Sequence, residues 1–481
     1  MALNFRSILK IFGVLLCLEA ALLTVPLLYA LLSHDGEAGA FLVSIFILLS
    51  LAAPLWLLNR SHQKVQRRDI YLIVAGGWVL LSLLGMLPYI FGGAGLSMAD
   101  AFFETVSGFT TTGASVIPDI ESISPSLLLW RSLTQWVGGM GIIVLMVAVM
   151  PIFGIGGMQL FSAESPGVYI DKLRPRIKET ALIMWVVYLS LTAMAFGALL
   201  VSGLSVFDAI NHAMTTLATG GFSTKSASAA AFPPAAQYTL ALFMFLAATN
   251  FALLYAGLKG NLRVFWKHEE FRFFVRCVLV AVSFVTAYLF FASESLEAAF
   301  RHSLFQVVSI VTTTGLVTDD YTLWHAPVVY LMFLLMFVGG MTGSTAGGIK
   351  VMRHAVLLKS AFLELKKQLY PDAVLPLRFN KVRVNDSILY KVLSFVMLYI
   401  LIAVFASVVL MVSGISVTTS VGAVVTTLGN IGPGFGAVGP ASTFVDLPSL
   451  AKVFLSFLMI LGRLELFTVL ILLTPYYWQR S

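Results

Sequence analysis

Apolar runs of about twenty residues recur along the whole chain, and they constrain its fold more than any other feature. A helix of that length crosses the hydrocarbon core of a bilayer, which is about 30 Å thick. The composition agrees: of the 481 residues, 59% are hydrophobic and 11% are charged, whereas about a quarter are charged in a typical soluble domain. We therefore expect an all-α polytopic membrane protein.

The first apolar run, residues 8–32, could be a cleaved signal peptide or a retained helix. It is long, it has no small-residue cleavage site, and a second run follows at residues 39–59. These features favour two retained transmembrane helices at the N-terminus.

Lysine and arginine are concentrated in alternate connections, at residues 60–68, 172–178, 259–276 and 350–391. Basic connections tend to stay in the cytoplasm, so the pattern predicts cytoplasmic termini and places the acidic connections outside. An acidic outer vestibule would attract cations. Five basic residues depart from the pattern: Arg131, Lys225, Arg301, Lys452 and Arg463.

A short Thr/Gly phrase occurs four times, always on the acidic side. It reads SGFTTTGAS at 107–115, MTTLATGGFS at 214–223, VSIVTTTGLV at 308–317 and VVTTLGNIGPG at 424–434. Alignment on the glycine that ends each phrase pairs Gly113, Gly220, Gly315 and Gly429, which by subtraction are 107, 95 and 114 residues apart. Such a period indicates an internal repeat.

Each phrase follows a long apolar span and then a segment of about 10–14 residues, which is too short to cross a bilayer. Ser97 before Asp100, and Ser205 before Asp208, resemble helix N-caps. Each unit is therefore interpreted as a full helix (M1), a pore half-helix, a loop and a second full helix (M2). Four such units in a pseudo-fourfold arrangement around one pore, plus the two N-terminal helices, give ten spans. The predicted divisions are 1–68 for the extra helices and 69–170, 171–265, 266–385 and 386–481 for the repeats.

Four loops at one depth can form a ring whose backbone carbonyls replace the water around a monovalent cation. Glycine permits the backbone angles that this requires. The loops are predicted at 110–115, 217–223, 312–317 and 426–432. The candidate cation-binding residues are Thr110, Thr111, Thr112, Gly113, Ala218, Thr219, Gly220, Thr312, Thr313, Thr314, Gly315, Thr427, Leu428, Gly429 and Asn430.

A glycine-rich segment, residues 339–350, interrupts the last span of the third repeat. It is not a nucleotide-binding P-loop, because Lys350 does not directly follow a glycine and no Ser or Thr comes next. A glycine-kinked helix packed on a neighbour and an intramembrane loop lying across the pore remain open. The candidate gate residues are Gly339, Gly340, Thr342, Gly343, Ser344, Thr345, Gly347, Gly348 and Lys350.

Arg463 lies deep in the final apolar run, where a charged side chain is costly and usually faces a polar interior. It could form a structural ion pair with another helix, or it could place its charge beside the cation path. Glu465 is only two residues away and would point in a different direction on a helix.

The chain resembles the membrane subunits of Trk-type bacterial potassium uptake systems (the TrkH/TrkG family, within the TrkH/KtrB/HKT superfamily). The resemblance rests on the four phrases and on QWVGGMGIIVL (135–145), GGMTGSTAGGIKV (339–351) and GRLELFTVLILLTP (462–475). It implies K+ as the transported ion, a gate at 339–350, an arginine beside the pore at Arg463 and a bacterial inner-membrane location. It also implies a homodimer with a cytosolic TrkA-like nucleotide-binding ring protein as partner. Gly113 favours potassium over sodium, whereas Leu428 and Asn430 make the fourth loop depart from the other three.

Other classes of protein find little support in the residues. No nucleophile or dinucleotide-binding motif indicates an enzyme or a bound cofactor, and a net charge of +7 spread over membrane connections does not indicate nucleic-acid binding. Cys17 and Cys277 are isolated, and His212 and His302 form no ligand cluster in the sequence. A coupled secondary transporter with alternating access remains the alternative function, although such proteins usually contain two repeats.

Overall fold

The structure, a computed structural model, describes residues 3–57, 66–141, 177–292 and 295–479. Within these ranges the chain is almost entirely helical, with one short antiparallel pair formed by β1 (Arg378–Phe379) and β2 (Val382–Arg383). The basic residues at 60, 64, 172, 174, 176 and 480, which the charge pattern places in the cytoplasm, lie outside the described residues. The helices are α1 Phe5–Ser33, α2 Ala38–Leu57, α3 Arg67–Gly85, α4 Leu87–Phe91, α5 Met98–Phe109, α6 Pro125–Gly139, α7 Ile177–Val201, α8 Val206–Leu217, α9 Pro234–Ala247, α10 Phe251–Leu258, α11 Arg263–Lys267, α12 Glu269–Phe291, α13 Leu296–Val311, α14 Ala326–Leu335, α15 Val351–Leu369, α16 Asp386–Val412, α17 Val417–Gly429, α18 Ser449–Arg463, α19 Phe467–Leu473 and α20 Pro475–Trp478.

Six helical stretches in the described residues are long and apolar enough to cross a membrane. Two of them are the N-terminal helices α1 and α2. The other four are 68–91, 181–201, 269–291 and 386–412, which coincide with the first full helix expected in each repeat. The chain is therefore a multi-pass helical membrane protein.

A second full helix was expected in each predicted repeat, with the third one interrupted at residues 339–350. Among the described residues the third is interrupted there, and the corresponding helices of the other three also end or bend early. Helix α6 ends at Gly139, α14 at Leu335 and α18 at Arg463, while α9 and α10 are separated by a bend of 108°. After α18, two consecutive residues, Glu465 and Leu466, have positive φ. All four breaks follow an apolar helix of 10 to 15 residues.

Short helices follow the long ones at the four places where they were expected, as α5, α8, α13 and α17. Ser97 and Ser205 cap α5 and α8 as predicted, each accepting a hydrogen bond from the backbone N–H three residues later. Ser295 and Ser416 cap α13 and α17 in the same way. A serine cap satisfies N–H groups that would otherwise be unpaired at a helix start, so one local signal begins all four helices.

The connection between α1 and α2 is hydrogen-bonded to the start of α6 and to the loop that follows α4. The Asp35 carboxylate accepts from the Ser126 N–H at 3.0 Å, and the Glu37 carboxylate accepts from the Gly93 N–H at 2.9 Å. At the opposite end of α3, the Tyr477 hydroxyl near the C-terminus donates to the Arg68 carbonyl. Helices α3 and α6 are thus in contact with residues near both ends of the sequence.

Candidate cation-binding site

Each short helix runs directly into a Thr/Gly loop whose backbone changes hand at alternate residues. In the first loop φ is −75° at Thr110, 53° at Thr111 and 82° at Gly113. When right-handed and left-handed residues alternate, successive carbonyls point to one side and successive N–H groups to the other. The loop N–H groups are used within the same unit, as when Thr112 donates to the Ser107 carbonyl at 2.9 Å.

The same pair of left-handed positions, two residues apart, occurs in every loop. The pairs are Thr111 and Gly113, Thr219 and Gly221, Thr313 and Gly315, and Asn430 and Gly432. The hydrogen bond made by Thr112 is likewise repeated by Gly220, Thr314 and Ile431, each at 2.9 Å.

This geometry corrects the alignment of the glycines. The residues equivalent to Gly113 are Gly221 and Gly432 in the second and fourth loops, rather than Gly220 and Gly429. Gly220 occupies the place of Thr112, where φ is not positive, and Gly429 is the last residue of α17. Neighbouring glycines made the choice ambiguous in the sequence, because only the backbone conformation distinguishes them.

The correction changes which residues lie in the fourth loop. Thr427 and Leu428 belong to the last turn of α17, and Thr427 donates its hydroxyl to the Ala423 carbonyl at 2.6 Å. Both were expected to bind the cation. Ile431 and Gly432 take the loop positions, and neither was named individually, although the range 426–432 contains them.

The four glycines place the loops against one another in cyclic order. A side-chain carbon added to any of them would lie closer than 3.0 Å to a carbonyl oxygen of the next loop. The pairs are Gly113 with Gly220 O, Gly221 with Thr314 O, Gly315 with Ile431 O, and Gly432 with Thr112 O. The last pair returns to the first loop, so the four loops form a closed circuit of contacts.

Two of the four loops, the first and the third, contain a pair of hydrogen-bonded threonine hydroxyls, and the second and fourth do not. In the first loop the hydroxyls of Thr110 and Thr112 are 2.7 Å apart, and in the third loop those of Thr312 and Thr314 are 2.8 Å apart. The second and fourth loops have Ala218 and Gly429 at the place of Thr110 and cannot form this pair.

Two amide side chains support the loops that lack the hydroxyl pair. Gln135 donates to the Gly220 carbonyl at 2.7 Å and accepts from the Phe222 N–H at 3.0 Å. Asn430 donates to the Thr112 hydroxyl and to the Met459 carbonyl, both at 2.9 Å. Gln135 was not singled out in the sequence, although it opens one of the motifs that carry the family resemblance.

Residues 336–350 contain no helix, so the glycine-kinked helix considered for this segment is wrong. The ends of the segment are held together, because Gly339 donates to the Ile349 carbonyl at 2.9 Å and Val351 donates to the Gly340 carbonyl at 3.1 Å. The glycines do permit close packing, as expected for that alternative: a side-chain carbon on Gly340 would lie 2.6 Å from the Ala346 side chain.

The tip of this segment contacts the ends of the short helices. The Gly347 N–H donates to the Thr313 hydroxyl at 2.7 Å, and a side-chain carbon on Gly347 would lie 2.7 Å from the Gly429 carbonyl. The Thr345 hydroxyl lies 3.0 Å from the Leu217 carbonyl, at the end of α8. The segment therefore lies directly against three of the four Thr/Gly loops, close to where each loop begins.

Arg463 binds backbone carbonyls from two elements. Its guanidinium donates to the carbonyls of Gly138 at 2.6 Å and Gly139 at 2.9 Å, at the end of α6, and to the Thr345 carbonyl at 2.8 Å. Glu465 pairs with Arg353 of α15. Arg463, the last residue of α18, thus connects the end of α6 to the 336–350 segment.

The other four basic residues that depart from the charge pattern each form an ion pair. Arg131 binds Glu104 at 2.6 Å, with exposed side-chain fractions of 2% and 0%. Lys452 binds Asp100, Lys225 binds Glu121 and Arg301 binds Glu297. The Arg301 guanidinium beside Glu297 lowers the pKa of that carboxyl.

The two histidines beside the short helices make hydrogen bonds. His212 lies 3.0 Å from the Ser223 hydroxyl and 2.8 Å from the Asp208 carbonyl, and His302 lies 3.4 Å from the Thr318 hydroxyl. Across the described ranges, no group of three or more His, Cys, Asp or Glu side chains could hold a metal ion.

The fold and the loops together define a multi-pass helical membrane protein organised around four converging backbone loops. The family model for TrkH, described as a cation transport protein, matches residues 38–479. The chain belongs to the TrkH family, as the sequence motifs predicted.

Individual relatives match over almost the whole length. The Trk system potassium uptake protein TrkH of Escherichia coli strain K12 is 39% identical over 484 residues, covering 99% of this chain and 100% of that protein. TrkH of Vibrio parahaemolyticus is 40% identical over 486 residues, with the same coverage. The crystal structure of the potassium transporter TrkH from Vibrio parahaemolyticus superposes with a TM-score of 0.89 at 38% identity and covers 99% of this chain and 100% of that one.

Proposed function

We propose that the protein takes up potassium through a channel-like pore whose selectivity filter is the ring of four Thr/Gly loops. The observation that carries this proposal is the closed circuit of glycine-to-carbonyl contacts among the loops. A ring of backbone carbonyls can replace the hydration shell of a monovalent cation. The relatives that match over nearly their full length are named as potassium uptake proteins.

The assigned filter consists of four consecutive residues in each quarter: 110–113, 218–221, 312–315 and 429–432. It contains no charged residue, so its negative field comes from carbonyl oxygens and from the C-terminal ends of the short helices that precede it. Such a site attracts a cation without the permanent charge of a carboxylate, which suits an ion that must also leave.

We assign the barrier below the filter to residues 339–350, which we name the gate loop, and the pore charge to Arg463. Gly347 of the gate loop binds Thr313 at the start of the filter, and Arg463 binds Thr345 of the same loop. Conduction in this scheme requires the gate loop to leave the axis. Removal of its contacts with Thr313 and Arg463 is part of that movement.

The proposed setting is the bacterial inner membrane, with four pseudo-fourfold repeats, cytoplasmic termini and a homodimer containing one pore in each subunit. A TrkA-like nucleotide-binding ring protein is the proposed regulator. The basic helix α15 continues directly from the gate loop, which gives a cytosolic partner a short route to the gate.

Cation uptake into proteoliposomes that contain this chain alone, compared for K+, Rb+, Na+ and Li+, tests the proposal. We expect K+ and Rb+ uptake to exceed Na+ and Li+ uptake, and the purified partner with nucleotide to change the rate but not the order. Equal uptake of all four cations would contradict the filter assignment. Uptake that appears only with an imposed H+ or Na+ gradient would identify a coupled transporter instead.

A further inference from the structure

Thr342, in the gate loop, is held by hydrogen bonds on both sides of its peptide backbone. Its N–H donates to the Glu270 carboxylate at 2.7 Å. Its carbonyl accepts from the Asn250 side-chain amide at 2.6 Å, and the next carbonyl, that of Gly343, accepts from the Phe251 N–H at 3.0 Å. The three contacting residues come from two parts of the chain: Asn250 and Phe251 are consecutive, and Glu270 lies in the first turn of α12.

Glu270 is an unusual residue to find at this place. It lies in the first turn of α12 and is only 2% exposed. A buried carboxylate is costly unless hydrogen bonds compensate for its lost hydration. Besides Thr342, the backbone N–H of Met352 in the first turn of α15 faces it. Glu270 therefore contacts the gate loop on one side and the helix that leaves the loop on the other.

Asn250 occupies the break between α9 and α10. Its side-chain oxygen caps α10 by accepting from the N–H groups of Ala252 and Leu253, while its amide nitrogen binds Thr342. One side chain thus uses its acceptor to restart a helix and its donor to hold the loop. The 108° bend of this helix pair gives Asn250 the position from which it does both.

We propose that Glu270 and Asn250 form an anchor that holds the gate loop across the cation path, so that the loop opens only when these bonds are given up. The inference rests on the proposed function of the gate loop. Glu270 is a positioning residue here, since it touches the loop and not the filter. Loss of a hydrogen bond that only the closed state makes shifts the equilibrium towards the open state.

Two substitutions remove the anchor selectively. Glu270→Met removes the acceptor and fills the buried volume, whereas Glu270→Gln keeps an acceptor oxygen without the charge. Asn250→Asp keeps the helix cap, for which aspartate is equally suited, but replaces the donor to Thr342 by an oxygen. Glu269→Gln is the matched control, because Glu269 lies in the same helix turn but binds Lys359 and Asn380 instead of the gate loop.

The measurement is K+ flux into proteoliposomes without the regulatory partner, together with the K+/Na+ ratio and the thermal unfolding midpoint of each variant. We expect about tenfold higher flux for Glu270→Met and Asn250→Asp, a smaller increase for Glu270→Gln, and none for Glu269→Gln. The K+/Na+ ratio should stay unchanged in all four. The partial recovery in Glu270→Gln separates anchoring from a general loss of packing.

A variant with residues 342–347 deleted is the reference. If the deletion raises flux but folded Glu270→Met and Asn250→Asp do not, the anchor is refuted and the gate loop remains the barrier. If the deletion does not raise flux either, the anchor and the gate assignment both fail, while the filter assignment is judged separately by the K+/Na+ ratio. Should Glu270→Met not fold, Asn250→Asp decides the outcome alone.

Discussion

At the scale of single residues, the glycines of the four loops satisfy two requirements at once. Gly221 has φ of 74°, which most side chains disfavour, and its α-carbon lies where a side chain would overlap the Thr314 carbonyl. Its neighbour Gly220 does not have a positive φ, and the atoms nearest to a side-chain carbon there belong to a side chain rather than to a backbone carbonyl. It faces the end of the flexible Gln135 side chain, which can move.

The pair Gly221→Ala and Gly220→Ala therefore tests the corrected alignment. We expect Gly221→Ala to reduce the K+/Na+ uptake ratio severely, because the carbonyl of the third loop must shift. Gly220→Ala should have a smaller effect, limited to displacement of Gln135. The K+/Na+ ratio is measured in proteoliposomes, with the thermal midpoint showing that both variants are folded.

A larger loss of selectivity in Gly220→Ala than in Gly221→Ala would restore the original alignment. Gly432→Ala and Gly429→Ala repeat the comparison in the fourth loop. There Gly432 is expected to be sensitive because its φ is 106°, whereas Gly429 is helical.

At the scale of secondary-structure elements, local signals in the sequence predicted well and packing-dependent features did not. The starts of α5 and α8 were predictable because a serine cap acts within one helical turn. The break at 336–350 was predictable from its five glycines. The break at 248–250 was not, since Ala248, Thr249 and Asn250 carry no strong helix-stopping signal. Ala248 and Asn250 contact the distant residues Met341 and Thr342, which the local sequence does not reveal.

Deletion within the gate loop is the clearest test at the scale of one element. Deletion of residues 342–347 removes the contacts with Thr313, Arg463, Asn250 and Glu270 together, so we expect partner-free K+ flux to rise about tenfold or more. The K+/Na+ ratio should change little, because the circuit of loop contacts does not include these residues. Flux and ion ratio are measured on the same preparation.

A close-packing role for this segment leads to the opposite result. Loss of the glycine contacts around Gly340 and Ala346 would then lower the yield of folded protein and reduce the flux. A folded deletion variant that conducts no faster than the parent would place the barrier elsewhere, for example at Arg463.

At the scale of the whole molecule, the four Thr/Gly loops are joined by polar side-chain contacts as well as by direct contacts with one another. Arg131 of the first repeat pairs with Glu104 and donates to the Ser223 carbonyl at 2.9 Å, just after the second loop. Its guanidinium also lies 3.6 Å from the centre of the Phe222 ring. The charge pattern of the sequence marked Arg131 as exceptional but could not supply its partners, which are 27 and about 90 residues away.

This buried pair gives a prediction for the stability of the protein. Arg131→Met leaves Glu104 as an uncompensated buried charge, which typically costs about 3–5 kcal/mol. We expect a large fall in the thermal midpoint. The double variant Arg131→Met with Glu104→Gln should recover part of that loss, because no isolated charge remains.

Equal thermal midpoints for the single and double variants would show that the ion pair is not what limits stability. The exposed pair Lys225 and Glu121, with side-chain exposures of 37% and 51%, provides the comparison. Lys225→Met is expected to change the midpoint little, as surface ion pairs contribute about 0–1 kcal/mol.

The contacts of Asn430 bear on how the four loops can come to differ from one another in sequence. Asn430 stands in one quarter only, where it reaches Thr112 of the adjacent loop and Met459 of α18. In a ring built from four copies of one polypeptide, every substitution is made four times, and an asparagine suited to a single corner would appear at all of them. Here each loop is encoded separately along one chain. A single mutation therefore changes one loop only, while the other three loops keep their sequence and their contacts.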